Sequence, residues 1–93
     1  MSILHLVRTS AYQHDDLAQC LQVYSAEDTI VLMDDGCYNL AHPLLKQVSS
    51  KRLLIIIEHC QARAVTFEKN KQAIVLAQLT PLLFSHDSVI TWQ

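Results

Sequence analysis

Apolar residues in this chain come in short unbroken runs rather than in alternation. Ile3 to Val7, Thr29 to Met33, Leu53 to Ile57, Ala73 to Ala77 and, more weakly, Val89 to Trp92 are each almost wholly aliphatic or β-branched. Strands covered on both faces read this way, because neither face has to be polar. Between the first two runs, Leu17, Ala18, Cys20, Leu21 and Tyr24 recur at helical spacing behind Asp15 or Asp16, one of which is the expected N-cap. Leu40, Leu44, Leu45 and Val48 repeat the helical pattern after Gly36, with Pro43 tolerable in the first turn. A third, short helix is expected around Cys60 to Val65. The pair Thr80-Pro81 predicts a fourth, with Thr80 as cap and Pro81 at the first helical position.

Five strands alternating with four helices imply a mainly parallel sheet, joined by right-handed crossovers with helices on both faces. The expected fold class is therefore α/β, a three-layer sandwich of flavodoxin-like type. Residues 1–93 should form one domain, since no linker, low-complexity stretch or repeat interrupts them.

Composition sharpens this picture. Hydrophobic residues make up 51% of the chain and charged residues 17%, against about 25% charged in a typical domain. A domain of this size buries only about 60% of the surface its unfolded chain exposes. Some of the apolar excess should therefore seek a partner. A formal charge of -2 gives no general attraction for phosphate backbones, so direct nucleic-acid binding is not expected. The charge is uneven: residues 1–46 hold two basic and six acidic side chains, residues 47–93 five basic and three acidic. Opposite-signed faces of this kind can set the register of a subunit contact. No apolar run approaches the roughly 18 residues of a membrane span, and Met1-Ser2 leads straight into the first strand without a basic leader. A cytoplasmic protein is expected, with its three cysteines as thiols, because they are odd in number and lack CxxC spacing.

In parallel sheets ligands bind beyond the carboxyl ends of the strands. Here those ends are Arg8-Thr9-Ser10, Asp34-Asp35-Gly36-Cys37 and Glu58-His59-Cys60. Such a concentration of polar groups suits a site, and equally suits the loops of any buried sheet. Gly36 is the only glycine, which excludes the glycine-rich phosphate cradles. The five histidines, His5, His14, His42, His59 and His86, show no paired ligand spacing. Neither a metal nor a cofactor is expected, and His5 reads as a hydrogen-bonded strand residue.

Thiol chemistry remains, and there the thiolate is the reacting species. At Cys37 the start of a helix would favour an anion by about 0.3 to 1 kcal/mol. A carboxylate of Asp34 or Asp35 roughly 5 Å away would cost it about 3 kcal/mol at an effective dielectric of 20. Cys37 should therefore be a protonated packing residue. Cys60 stands beside His59, but neighbours in a helix do not face one another, so it too reads as packing. Cys20 shares the stripe of Leu17, Leu21 and Tyr24; it lies at the stripe's edge, where either the core or another subunit can meet it.

Four segments together resemble one known family. They are the opening Ile3-Leu4-His5-Leu6-Val7-Arg8-Thr9-Ser10, the strand and turn Asp28-Thr29-Ile30-Val31-Leu32-Met33-Asp34-Asp35-Gly36, the later Glu58-His59-Cys60-Gln61-Ala62-Arg63, and Trp92. In order and spacing they resemble the TusB/DsrH family along almost the whole chain. The resemblance implies a DsrE/DsrF-like parallel α/β fold. It also implies a cytoplasmic subunit that works with TusC- and TusD-like partners in a heterohexamer. That complex passes persulfide sulfur to a TusE-like acceptor, towards 2-thiolation of the tRNA wobble uridine. In such complexes the principal sulfur-accepting cysteine belongs to the D-type subunit, near the end of the third strand, a place held here by Ile56. Cys20 matches a cysteine of the DsrH branch, which serves sulfur oxidation, and is the candidate sulfur-handling residue. Two departures stand out: Cys37 replaces a usual aliphatic residue, and Ala64 a usual glycine.

The leading expectation is a sulfurtransferase-complex subunit whose main task is assembly. A DsrH-type subunit with Cys20 handling sulfur directly is the second, and a stand-alone flavodoxin-like small-ligand module the third.

Overall fold

The computed structural model describes residues 2–67 and 72–93. Five strands, β1 (Ile3–Val7), β2 (Thr29–Leu32), β3 (Leu53–Ile56), β4 (Gln72–Ile74) and β5 (Ser88–Trp92), lie in the order β4-β3-β2-β1-β5. Every pairing is parallel, so the α/β expectation holds. The order differs from that of flavodoxin in one respect: the strand outside β1 is the last of the chain instead of the second.

That order dictates the layers. The chain advances from β1 through β4 in one direction, so right-handed crossovers put three connections on one face. There α1 (Asp16–Val23), two 3-10 segments and α2 (Ile57–Ala62) bring Leu17, Cys20, Cys37, Leu45, Val48 and Cys60 onto Val7, Ile30, Leu32, Leu53 and Ile55. The return from β4 to β5 crosses the opposite face. Among the described residues, α3 (Leu79–Ser85) alone supplies a helix there, setting Leu79, Leu82 and Leu83 over Leu4, Leu6, Val31, Leu54 and Ile56. β2 and β3, covered on both sides, are buried at every position, which explains their unbroken apolar runs.

Several local expectations need correction. The second helix is not α: it is a 3-10 segment over Asp34–Ala41 and another over Pro43–Gln47. Pro43 drives the residue before it out of helical space, and His42 is extended (φ -74°, ψ 136°). His42 then caps the second segment, its Nδ1 accepting from the Leu44 N–H at 3.1 Å. Asp15 does stand at the N-cap of α1, but no side-chain cap forms, and Asp16 instead accepts from the Thr9 hydroxyl at 2.7 Å. Nor does the last helix begin at Thr80-Pro81. α3 starts at Leu79 behind a 3-10 turn, Leu76–Gln78, because Gln78 Oε1 takes the Val75 N–H at 2.9 Å and Glu58 takes that of Leu76. Pro81 becomes the third helical residue, where its missing N–H would have lacked an intrahelical partner anyway. The same turn ends β4 at Ile74, short of the expected Ala77.

One polar network lies inside the core. Asp28 Oδ1 accepts from the Ile3 N–H at 3.0 Å, and Oδ2 from Ser25 N–H at 3.1 Å and from His5 Nε2 at 2.9 Å. The Trp92 indole N–H donates to His5 Nδ1 at 3.1 Å. An indole can only donate, so Nδ1 is the acceptor and the ring proton on Nε2 faces Asp28. Burial pushes the Asp28 carboxyl up, but the His5 bond and the two backbone bonds outweigh it and hold the group below its ordinary 3.8. Its stabilising share is present above pH 3.8 and is lost as pH falls through the lower folded value.

Two backbone positions carry special demands. A Cβ on Gly36 would stand 2.0 Å from the Val7 carbonyl oxygen, so the only glycine sits where the turn after β2 presses on the end of β1. Ala64 follows α2 at φ 54°, in left-handed space. Its N–H bonds Gln61 O at 3.2 Å while the Val65 N–H bonds Cys60 O at 2.9 Å, the paired bonds of a Schellman ending that usually employs glycine. The turn forms despite the departure noted at this position. Opposite outcomes are expected from exchanging the two residue types. Gly36→Ala should destabilise the fold by about 3 kcal/mol through overpacking. Ala64→Gly should stabilise it by about 0.5 to 1 kcal/mol, relief of left-handed strain exceeding glycine's entropy cost. Urea denaturation of the two variants checks both signs.

Candidate functional site

The carboxyl ends of β1, β2 and β3 meet at one edge of the sheet, and the residues there are bonded to one another. Arg8 Nε donates to Asp34 Oδ2 at 2.7 Å and Arg8 Nη1 to Gln93 Oε1 at 2.9 Å. Asp34 holds φ 51°, which turns its backbone N–H onto His59 Nδ1 at 2.9 Å. Arg63 Nε donates to Asp35 Oδ1 at 2.9 Å, a bond that also raises the guanidinium pKa further. Partly exposed pairs of this kind contribute about 0 to 1 kcal/mol each. Their effect is to neutralise the edge, since each acidic residue of the turn meets an arginine. Buried Asn39 pins the loop after β1, its Nδ2 donating to Thr9 O at 3.0 Å and its Oδ1 accepting from Ala11 N–H at 2.7 Å.

The crevice expected of a parallel sheet opens where successive connections leave on opposite faces, here between β3 and β4. Glu58 spans it, with Oε1 and Oε2 at 2.9 and 3.1 Å from the Leu76 N–H. The side chain after β3 thus bridges to the backbone after β4. Open hollows lie elsewhere, notably one of about 650 Å³ bordered by Tyr38, Leu40, Ala64, Val65 and Phe67. Among the described residues no cluster of three or more His, Cys, Asp or Glu is arranged to hold a metal ion.

The thiols are inside. Cys20, Cys37 and Cys60 are all free and fully buried. Burial, with Asp28 adding, pushes the Cys20 thiol from 9.0 up to about 12. Burial likewise pushes the Cys37 thiol up, with the neighbouring Cys60 and, to a smaller extent, Asp34 adding, so desolvation outranks the carboxylates invoked from the sequence. His5 is buried and doubly hydrogen-bonded, as expected of a strand histidine. Ile56 is buried at the end of β3, beneath the α3 face. Sequence reasoning missed Asp28 and Asn39. The only signal was a short polar side chain directly before a strand and another beside an apolar helical stretch.

A five-stranded all-parallel sandwich with paired charges at its strand ends and thiols in its core defines a small α/β protein. A sequence profile described as "DsrH like protein" matches residues 9–89, and the chain belongs to the DsrH-like family. Protein Tm0979 from Thermotoga maritima, solved by solution NMR, shares the fold. Its TM-score is 0.61 at 18% identity, over 91% of this chain and 93% of that one. No curated protein matches the sequence. Members of the DsrH family work in multi-subunit sulfur-relay complexes, and a role of sulfur-relay type follows for this chain. No described helix is long and apolar enough to cross a membrane.

The thiol environment has a pH consequence. In the unfolded chain Cys20 ionises near 9.0, in the folded chain near 12. The folded state therefore holds the extra proton between these values, so its stability is full below pH 9 and falls as pH rises. Each such thiol contributes a slope of about 1.4 kcal/mol per pH unit. Urea titrations between about pH 8 and about pH 10.5 should show this decline, and Cys20→Ala should reduce its slope by one thiol's share.

Proposed function

We propose that this chain is the TusB-like subunit of a cytoplasmic sulfurtransferase complex, assembled with TusC- and TusD-like partners as a heterohexamer. The complex relays persulfide sulfur to a TusE-like acceptor for 2-thiolation of the tRNA wobble uridine, and this subunit's own task is to build interfaces. The observation that carries the reading is the burial of all three thiols. Accepting sulfur requires a thiolate that can reach a persulfide. With a pKa near 12, Cys20 is ionised in only about one molecule in 10⁵ at pH 7. A relay protein without an accessible thiolate serves through its surface.

The surface supports such a role. Phe84 is 85% exposed on α3, and Val75 and Leu76, just before that helix, are exposed as well. Exposed apolar side chains on and just before this helix suit burial against a partner subunit. Free thiols in place of disulfides suit a reducing compartment.

Co-expression with C- and D-type subunits should yield one hetero-oligomer containing this chain, read by size-exclusion chromatography and native mass spectrometry. A chain that stays monomeric beside them overturns the proposal. Phe84→Asp should weaken co-purification while leaving the isolated fold within about 0.5 kcal/mol, as befits an exposed position. Alkylation of the native chain separates this reading from direct sulfur handling. Cys20 should react only on unfolding, whereas rapid labelling or persulfide uptake at Cys20 would assign it a carrier role.

A further inference from the structure

We propose that β5 is a dimerisation edge, at which a second copy of this chain adds its own β5 antiparallel across a two-fold axis centred on Ile90. The sheet order leaves two edges, β4 and β5. β4 spans three residues, whereas β5 spans five, Ser88–Trp92, and among the described residues pairs along its whole length with β1 alone. Ser88, Val89 and Thr91 are exposed. Natural sheets blunt such edges with charge, proline or a bulge. This strand reads Ser-Val-Ile-Thr-Trp, without charge or proline, and its register with β1 is unbroken.

The bonds to β1 fix which backbone groups face outward. Ser88 N–H donates to Ser2 O at 3.3 Å, and Trp92 O accepts from the Arg8 N–H at 3.1 Å. Ser88 and Trp92 therefore aim their backbone groups at β1, and by alternation so does Ile90. Val89 and Thr91 then present their N–H and C=O groups away from the sheet. Antiparallel pairing about Ile90 sets Val89 opposite Thr91 of the second copy, twice over. Each such pair exchanges two N–H···O=C bonds, and Ile90 meets Ile90 as the non-hydrogen-bonded pair between them. Every outward group of the two residues is thereby satisfied, and the contact is isologous. All the facing side chains but the end pair are β-branched, which suits cross-strand contact.

The ends of the strand select this orientation. Asp87 precedes β5 and accepts from the Ser2 N–H at 2.9 Å, while Gln93 follows it with Oε1 held by Arg8 Nη1 at 2.9 Å. In the same register Asp87 stands opposite Gln93 of the second copy, with the Arg8 guanidinium behind it. A carboxylate thus meets an amide and a cation at both ends of the contact. Parallel pairing would instead set the two Asp87 carboxylates side by side, an unfavourable match.

The test uses the full chain alone, so its outcome is read separately from co-expression with other subunits. Light scattering after size exclusion, with native mass spectrometry, should give the mass of two chains, falling to one on dilution. Amide hydrogen exchange at Val89 and Thr91 should be slow in the dimer and should accelerate on dilution. Thr91→Pro removes an outward N–H and none aimed at β1, so it should give a folded monomer with little change in its urea midpoint. Val89→Lys with Thr91→Lys in one chain, and Val89→Glu with Thr91→Glu in another, should each be monomeric alone and should form a mixed dimer when combined. These charged chains carry the test should the proline variant not fold. A chain that is monomeric at every concentration overturns the proposal. So does a dimer that survives the paired lysine substitutions, or protection at Val89 and Thr91 that is indifferent to dilution.

Discussion

The Asp28 carboxylate lies in the interior and accepts three hydrogen bonds, two from β1 and one from the turn before β2. One comes from the start of β1, one from the turn before β2, and one from His5 in the middle of β1. Burying a lone carboxylate would cost several kcal/mol, so the group is tolerable only with these donors in place. Through His5 the same network reaches the Trp92 indole on β5. One satisfied charge thus ties β1 to the turn before β2 and, through His5, to β5, its two neighbours in the sheet.

The parallel sheet was legible in the sequence because strands buried on both faces have little choice of residue. The corrections came where two geometries share one pattern. Leu45 and Val48, three apart, suit an α-helix and a 3-10 turn alike, and only the effect of Pro43 on His42 decided between them. At the strand ends, position alone pointed to Arg8, Asp34, Asp35, Glu58 and His59. Their partners were not legible, since the hydrogen bonds join residues far apart in the chain. Asp28 stood out only as part of a segment shared with a family, and its importance follows from burial, which no local pattern announces.

A sulfur-relay family member whose three thiols all face inward separates two uses of cysteine. In the core it acts as a small, polarisable apolar residue, and its high pKa there follows from the same exclusion of water that lets it pack. The two sheet faces are separated in a comparable way. The face with three connections holds the thiols and the polar network, while the other has one helix and presents Phe84 to its surroundings. Internal cohesion and outward contact are thus assigned to opposite sides of one sheet.

Pairing β1 with β5 joins residues separated by about the whole domain, as between His5 and Trp92. The units β1-α1-β2 and onward to β3 need only short closures, so they can condense first. β5 has to be brought back across the molecule at a larger entropic cost, and it docks late. Until it does, His5 has one ring nitrogen without its indole and β1 is an open edge. The slow step of folding and the moment of greatest vulnerability to mispairing therefore coincide at the same strand.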